Sequence, residues 1–205
     1  DSYGIRIREQ LGYVPPGALS TDWLTANQIN GTEDGTTTGF LAITGTTITS
    51  SLDQAHSGIR SVKLVTDGAA VAEGCRVVNT PLYWYPIATG CAYRVAGWVY
   101  CATAGARLLA EIDYYNNAGD YLSCKLVYLT HSGAGWEQMV VAETITQVNV
   151  ARMYIYFCTS DALPAQALTF YVDDVEFYRT DMTGNAHAAI TGAVWVAGPN
   201  GPVLS

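Results

Sequence analysis

Residues 169–178, TFYVDDVEFY, place two adjacent aspartates in the middle of an alternating apolar segment. Aspartate is unfavourable in strands, and successive side chains of a strand point to opposite faces. An ionised carboxylate is costly to bury without a partner, so one of Asp173 and Asp174 needs compensation if the strand is regular. A bound cation is one such partner. The alternative is that one aspartate faces solvent and the other caps a nearby turn.

The composition of the 205-residue chain favours an all-β domain. Hydrophobic residues make up 49% of the sequence and charged residues 14%, and there are 20 glycines and 14 tyrosines. Short strands joined by tight turns suit this composition better than long surface helices do. Because an all-β sandwich of this length is commonly one domain, we expect a single β-sandwich with no long helix.

The charge balance argues against two classes of partner. The net charge is −8, and the ten basic residues are scattered along the chain. Binding to nucleic-acid phosphates needs clustered Lys and Arg. No apolar run approaches the roughly 18 residues of a membrane span. We therefore expect neither a nucleic acid nor a membrane as a partner.

The cysteines do not predict a metal site. They show no C-x-x-C pair and no following His cluster, so zinc is not expected. Because the number of cysteines is odd, at least one thiol is free. The spacing allows one disulfide but does not identify which cysteines would form it. The five are Cys75, Cys91, Cys101, Cys124 and Cys158.

No catalytic signature is present in the sequence: there is no Ser-His-Asp order, phosphate loop or metalloenzyme motif. Glu111 and Asp113 fall on one face of a single predicted strand, about 7 Å apart by the strand repeat, which is within the range of glycosidase carboxylates. No other feature supports catalysis. We expect a protein that is not an enzyme.

Several segments alternate with the two-residue period of a strand. In 91–101, 107–115 and 151–158, one face is apolar and the other carries Arg, Glu, Asp, Tyr or Trp. The turn NNAGD at 116–120 predicts a hairpin with the segment that follows. These patterns favour a sandwich in which one sheet surface presents aromatic and charged groups. The alternative is that the rings only pack the sheet.

The two ends of the chain lack these patterns. Residues 1–28 contain the strand-breaking YVPPG, and residues 180–205 are rich in Gly and Ala without a strong period. We interpret these ends as extended N- and C-terminal arms around a domain at 29–179. Arms of this kind more often serve neighbouring subunits than the fold itself, with disordered tails as the alternative.

Blocks of sequence in the predicted domain resemble one family. They are NGTEDGTTTGF, DQAHSGIRSVKLVT, NTPLYWYPIATGCAYRVAGWVY with LLAEIDYYNNAGDYL, and FYVDDVEF. In this order the chain resembles the jelly-roll carbohydrate-binding modules of the galactose-binding-like fold. The resemblance implies an all-β, two-sheet antiparallel jelly-roll sandwich.

The resemblance also implies a structural Ca²⁺, which ties the first strand and the loop after it to the last strand. Carboxylate and carbonyl oxygens are the ligands that this ion prefers. The chain departs from the family at Thr32, where an aromatic residue generally precedes the glutamate. The implied metal ligands are Glu33, Ser57 in the loop at 56–58, Asp173 and Asp174.

A glycan-binding sheet face is the further implication of the resemblance, with rings that stack on sugars and polar groups that bond hydroxyls. The family places the strands of Trp98, Asp113 and Tyr154 in one sheet, so we expect these side chains to converge on one groove. The loop aromatics Tyr83 and Tyr85 are secondary candidates. The candidate carbohydrate-binding residues are Arg94, Trp98, Tyr100, Glu111, Asp113, Tyr115, Arg152, Tyr154, Tyr156 and Trp84.

Similar modules occur in extracellular glycosidases and in bacteriophage tail and virion proteins. We therefore expect a non-catalytic glycan-binding or adhesion module at an extracellular or virion surface. Its partners would be a glycan and, through the arms, protein neighbours in an assembly, with a homo-oligomer expected. The alternative is a purely structural virion subunit, in the tail or decorating the capsid, that binds no sugar. A wet protein interface would have the same residue types as a sugar site.

Overall fold

The computed structural model describes residues 31–78 and 84–180, together with Leu24, Gln28 and the backbone of two short strands near the C-terminus. Within 31–78 and 84–180, all regular structure is β. The strands are β1 (Phe40–Ala42), β2 (Thr46–Ser51), β3 (Ser61–Thr66), β4 (Gly74–Val77), β5 (Tyr85–Pro86), β6 (Ala92–Cys101), β7 (Arg107–Asn116), β8 (Tyr121–Thr130), β9 (Trp136–Thr144), β10 (Val150–Thr159), β11 (Thr169–Arg179), β12 (Trp195–Gly198) and β13 (Gly201–Leu204).

Two antiparallel sheets form the domain. Sheet A has the order β1, β4, β10, β7, β8, and β5 pairs with the edge of β10 next to β4. Sheet B has the order β2, β3, β11, β6, β9, and β12 and β13 form a separate hairpin. The predicted all-β jelly-roll sandwich is confirmed. The hairpin predicted at the NNAGD turn is also present, as the pair β7 and β8.

The core lies between the sheets because the long central strands β6, β7, β10 and β11 bury largely alternate residues, as the sequence pattern predicts. On β10, for example, Met153, Ile155 and Phe157 are buried while the residues between them are partly exposed. Gly97 on β6 faces the Phe157 ring, and an added Cβ there would lie 2.5 Å from that ring. Glycine at this position therefore allows the two sheets to approach.

A β-bulge in β11 explains the two adjacent aspartates. Before the bulge the core residues are Phe170 and Val172, and after it they are Val175 and Phe177. The register with β6 is irregular between Asp173 and Glu176. One extra residue thus shifts the alternation, so both aspartates lie on the outer side of sheet B. The strand is therefore not regular at this point, and the opposite-face arrangement of a regular strand does not apply to the two aspartates.

Part of the predicted N-terminal arm packs into the sandwich. Leu24 is buried in the core cluster. Gln28 is fully buried, and its amide donates to the carbonyls of Gly39 and Val78 at 2.7 and 2.8 Å. These two residues therefore belong to the domain. The rest of 1–28, and most of 180–205, lie outside the described residues.

All five cysteines are free thiols, and Cys75, Cys101 and Cys158 are buried. Burial raises the pKa of the Cys75 thiol to about 12. The three buried cysteines therefore act as small core residues. In the part of the chain that the structure describes, no helix has the length and apolar character needed to cross a membrane.

Candidate functional site

The outer face of sheet A presents three consecutive rows of side chains that run across the strands. The rows follow from the register of β4, β10, β7 and β8. The first row is Arg76, Tyr156, Glu111 and Leu126; the second is Tyr154, Asp113 and Cys124; the third is Arg152, Tyr115 and Tyr121. We call these residues, with Trp84 beside β10, the sheet A face.

Aromatic rings dominate one half of the sheet A face. The Tyr115 ring meets Tyr154 edge to face at 5.0 Å and Tyr121 at 5.6 Å between centroids. The Arg76 guanidinium lies 5.0 Å from the Tyr154 ring centroid. Such edge and cation contacts fix the ring orientations, so the rings form a preformed surface.

Two adjacent carboxylates occupy the middle of the face. Burial raises the pKa of Glu111 to about 7, and the neighbouring charge of Asp113 adds to the shift. Burial also raises the pKa of Asp113, against the effect of its hydrogen bonds to Glu111 and Tyr115. The pair therefore holds a proton close to neutral pH and offers both a donor and acceptors to a ligand.

Trp84 and Arg152 meet at the β5 edge of the face. The Arg152 guanidinium lies 5.0 Å from the Trp84 ring centroid, and its Nη2 donates to the Asn117 carbonyl. Tyr85, by contrast, points into the core and is fully buried against Phe177. Tyr85 is therefore unsuitable as a sugar platform. The other loop candidate, Tyr83, lies outside the described residues.

Three of the candidate glycan-binding residues lie elsewhere. Arg94, Trp98 and Tyr100 are on β6, which belongs to sheet B. The outer faces of two packed sheets point in opposite directions, so Trp98 cannot converge with Asp113 and Tyr154. The prediction of one shared groove is wrong for these three. The residues that do share the sheet A face are Glu111, Asp113, Tyr115, Arg152, Tyr154, Tyr156 and Trp84.

The β6 residues are engaged within sheet B. Trp98 stacks on His56 at 4.0 Å with an interplanar angle of 13°. Tyr100 lies 5.7 Å from the Trp136 ring. Arg94 forms a salt bridge with Glu176. The His56 ring covers one side of Trp98, so this tryptophan packs the loop at 53–60 onto the sheet.

Asp173 and Asp174 hold that loop. Asp173 is fully buried, and its Oδ2 accepts the backbone N–H groups of His56 at 2.6 Å and Ser57 at 3.2 Å. Asp174 bonds the His56 ring and the Ser57 hydroxyl, both at 2.6 Å. Burial raises the pKa of Asp173 to about 6. The alternative, in which one aspartate faces solvent and the other caps a nearby turn, fits in part: Asp174 is partly exposed, but both carboxylates hold the loop.

The fourth predicted metal ligand, Glu33, lies in the same region. Its Oε1 accepts the N–H groups of Ile59 and Arg60 at 2.7 and 2.8 Å. Beside it, a Cβ added to Gly31 would lie 1.8 Å from Asp173 Oδ1 and 2.8 Å from the Arg60 carbonyl oxygen. Two oxygen atoms of the kind that Ca²⁺ prefers thus lie near each other where glycine leaves room, whereas the carboxylates of Glu33, Asp173 and Asp174 do not form a group within 4.8 Å.

A different group of potential metal ligands is closer together. Among the described residues, the donor atoms of Glu111, Asp113 and Cys124 lie within 4.8 Å of one another. These residues are on the sheet A face. The mutual carboxylate contact accounts for this proximity without an ion.

Sequence reasoning missed four residues of the sheet A face: Arg76, Tyr121, Cys124 and Leu126. A signal existed for the three on β8, because the NNAGD hairpin sets the register that brings Tyr121 opposite Tyr115. Arg76 had no such signal. Its position depends on the pairing of β4 with β10, which are distant in sequence.

Solved structures share this fold. The CBM22-2 xylan-binding domain of Paenibacillus barcinonensis Xyn10C is 16% identical with a TM-score of 0.60, covering 74% of this chain and 98% of that one. The C-terminal family 22 carbohydrate-binding module of Clostridium thermocellum Xyn10B is 16% identical with a TM-score of 0.54, covering 76% and 95%. The enzymatically active domain of bacteriophage CBA120 tailspike protein 4 is 14% identical with a TM-score of 0.50, covering 78% and 23%.

Sequence comparisons add no closer relative: no protein-family model matches the chain, and no curated protein matches it. The structural matches therefore establish the fold. The chain has the β-sandwich jelly-roll fold of carbohydrate-binding modules, as the sequence resemblance implied.

Proposed function

We propose that the chain is a non-catalytic glycan-binding module and that the sheet A face is its binding surface. The observation that carries this proposal is the set of oriented rings, Tyr115, Tyr121 and Tyr154, beside the carboxylates of Glu111 and Asp113. A protein–protein interface with a water-free, apolar centre excludes carboxylates from that centre. A sugar needs both kinds of group.

The chemistry of the face suits a pyranose chain. Aromatic rings supply contact area for the apolar faces of sugar rings at low entropic cost. Carboxylates accept charge-assisted hydrogen bonds from hydroxyl groups and so give the ligand a direction. On this face, Asp113 lies directly opposite Tyr154 on the next strand, so one sugar can use both.

The same geometry supports a non-catalytic role. The two carboxylates of a glycosidase flank the scissile bond, whereas Glu111 and Asp113 project from one strand and hydrogen-bond to each other. They therefore approach a ligand from the same side.

We also propose that the module works in an assembly such as a bacteriophage virion, at an extracellular or virion surface and as a homo-oligomer. The support is the tailspike domain among the structural matches and the unpatterned ends of the sequence. Native mass spectrometry of the full chain tests this point. A monomer at all concentrations contradicts the oligomer.

A structural Ca²⁺ is proposed at the loop at 53–60. Its holders would be Glu33, Ser57, Asp173 and Asp174, whose oxygen donors fit the ion. Asp173 is fully buried, and a cation beside a buried carboxylate offsets the cost of burying its charge. The ion would supply that charge and lock the loop to β11.

Affinity gel electrophoresis with a panel of soluble polysaccharides, xylan first, tests glycan binding. We expect retardation of the wild type and a loss of about 1 kcal/mol in binding free energy for Tyr154→Ala. Trp98→Ala is the control, because Trp98 lies on the opposite sheet. Equal losses in both variants contradict the assignment of the face. A chain that assembles but binds no glycan indicates the purely structural alternative.

A further inference from the structure

Arg152 links two loops at the β5 edge of the sheet A face. Its guanidinium carbon lies 5.0 Å from the centroid of the Trp84 ring. Its Nη2 donates a hydrogen bond of 2.5 Å to the carbonyl of Asn117, in the turn between β7 and β8. One side chain thus joins the segment before β5 to the β7–β8 turn.

The guanidinium is enclosed on further sides. The Nε atom is buried and has no hydrogen-bond partner among the residues that the structure describes. The Nη1 atom lies 3.3 Å from the position of a Cβ added to Gly119. A desolvated cation attracts an aromatic ring more strongly than an exposed one. The guanidinium thus contacts the Trp84 ring on one side and the Asn117 carbonyl on another.

Among the described residues, Trp84 adjoins a very short strand. The two-residue strand β5 (Tyr85–Pro86) pairs with β10 at Met153 and Arg152 only. Tyr85 is buried in the core, so Trp84, one residue earlier, falls on the outer side. The ring lies beside β10, three strand spacings, or about 14 Å, from β8 at the other edge.

We propose that Arg152 is a positioning residue, which holds the Trp84 ring as a separate stacking surface for the far end of a longer oligosaccharide and does not itself contact the sugar. The ligand part of this proposal rests on the proposed function. Trp84 lies about 14 Å from β8 at the other edge of the face, so a disaccharide bound at Tyr115 and Tyr121, on β7 and β8, does not reach it. A hexasaccharide lying across the strands reaches it.

The first experiment needs no glycan. Acrylamide quenching of tryptophan fluorescence is measured for the wild type and Arg152→Met, each with and without Trp84→Phe, so that the difference reports Trp84 alone. We expect Arg152→Met to increase the quenching of Trp84, and Arg152→Lys to restore part of the protection through its retained charge. Arg107→Met is the matched control. Arg107 also lies in sheet A, but it donates its hydrogen bonds to backbone carbonyls in the loop at 162–164. Unchanged quenching in Arg152→Met overturns the positioning role.

The second experiment is a double-mutant cycle by calorimetry with xylobiose and xylohexaose. We expect Trp84→Ala and Arg152→Met each to weaken xylohexaose binding by roughly three- to tenfold, to weaken xylobiose binding by a smaller factor, and to be no worse together than Trp84→Ala alone. If the double variant weakens xylohexaose binding by the product of the two single-variant factors, Arg152 contacts the sugar and the proposal is overturned. If the wild type binds no glycan while the quenching result holds, the proposed function fails and the positioning of Trp84 stands.

Discussion

Glu111→Gln tests the electrostatics of the sheet A face without any ligand. Glu111 is partly buried between Tyr156 and Leu126, next to Asp113. Burial, reinforced by the charge of Asp113, raises its pKa to about 7 from the ordinary 4.5. The folded protein therefore keeps a proton on this group in a pH range in which the unfolded chain has lost it.

The sign and size of the effect follow from linkage. Where the folded state binds more protons than the unfolded state, the free energy of unfolding falls as pH rises, here from about 4.5 to about 7. Each unit of difference in pKa between the folded and unfolded states is worth about 1.4 kcal/mol, so an unscreened carboxyl would contribute on the order of a few kcal/mol. Because the group is only partly buried and is screened by solvent, we expect on the order of 1 kcal/mol.

Urea unfolding at pH 5 and pH 8 measures this difference. The wild type should lose stability between the two values, and Glu111→Gln should lose about 1 kcal/mol less. Glu137→Gln is the matched control, because hydrogen bonds from Ser132 lower the pKa of Glu137 and its titration falls below this range. Parallel wild-type and Glu111→Gln curves would refute the reasoning.

Three further predictions concern the other parts of the sandwich. Excess Ca²⁺ at a hundred times its Kd should stabilise the wild type by about 2.7 kcal/mol in thermal melts against chelator, and Asp173→Asn should abolish that gain. Gly97→Ala should lower the free energy of unfolding by about 1–3 kcal/mol, since its Cβ would meet the Phe157 ring; an unchanged urea midpoint contradicts this. Asp174→Ala should speed amide exchange at His56, where it removes the ring and hydroxyl contacts of the loop, and equal exchange rates would contradict it.

The sequence predicts much of the fold because strand alternation is local. The inward residues of β7 and β10 could be assigned from a two-residue period alone, and so could the outward position of each aromatic or charged side chain. The fold class follows from several such strands joined by glycine turns. These predictions need no knowledge of which strand pairs with which.

The site was harder to predict because it depends on long-range pairing. Alternation places Trp98 and Asp113 on the polar sides of their strands, but it does not say that β6 and β7 belong to different sheets. The same limit concealed Arg76, which reaches the face only through the pairing of β4 with β10. Pairing between strands that are distant in the sequence does not show in the two-residue period of either strand.

The bulge in β11 had a readable signal that was overlooked. The apolar residues Phe170 and Val172 are even-numbered, and Val175 and Phe177 are odd-numbered, so the alternation shifts by one at the aspartates. A shift of this kind predicts one inserted residue.

The inserted residue of β11 contacts the loop at 53–60, and a single mutation can add or remove it without changing the fold. Between Asp173 and Glu176, β11 uses three residue steps while β6, from Trp98 to Ala96, uses two. Deleting the single codon for Asp174 would restore an unbroken alternation, with every core side chain of β11 still facing inward. One of the two carboxylates that hold the loop at 53–60 can therefore be gained or lost in one mutational event, without redesigning the strand that carries it.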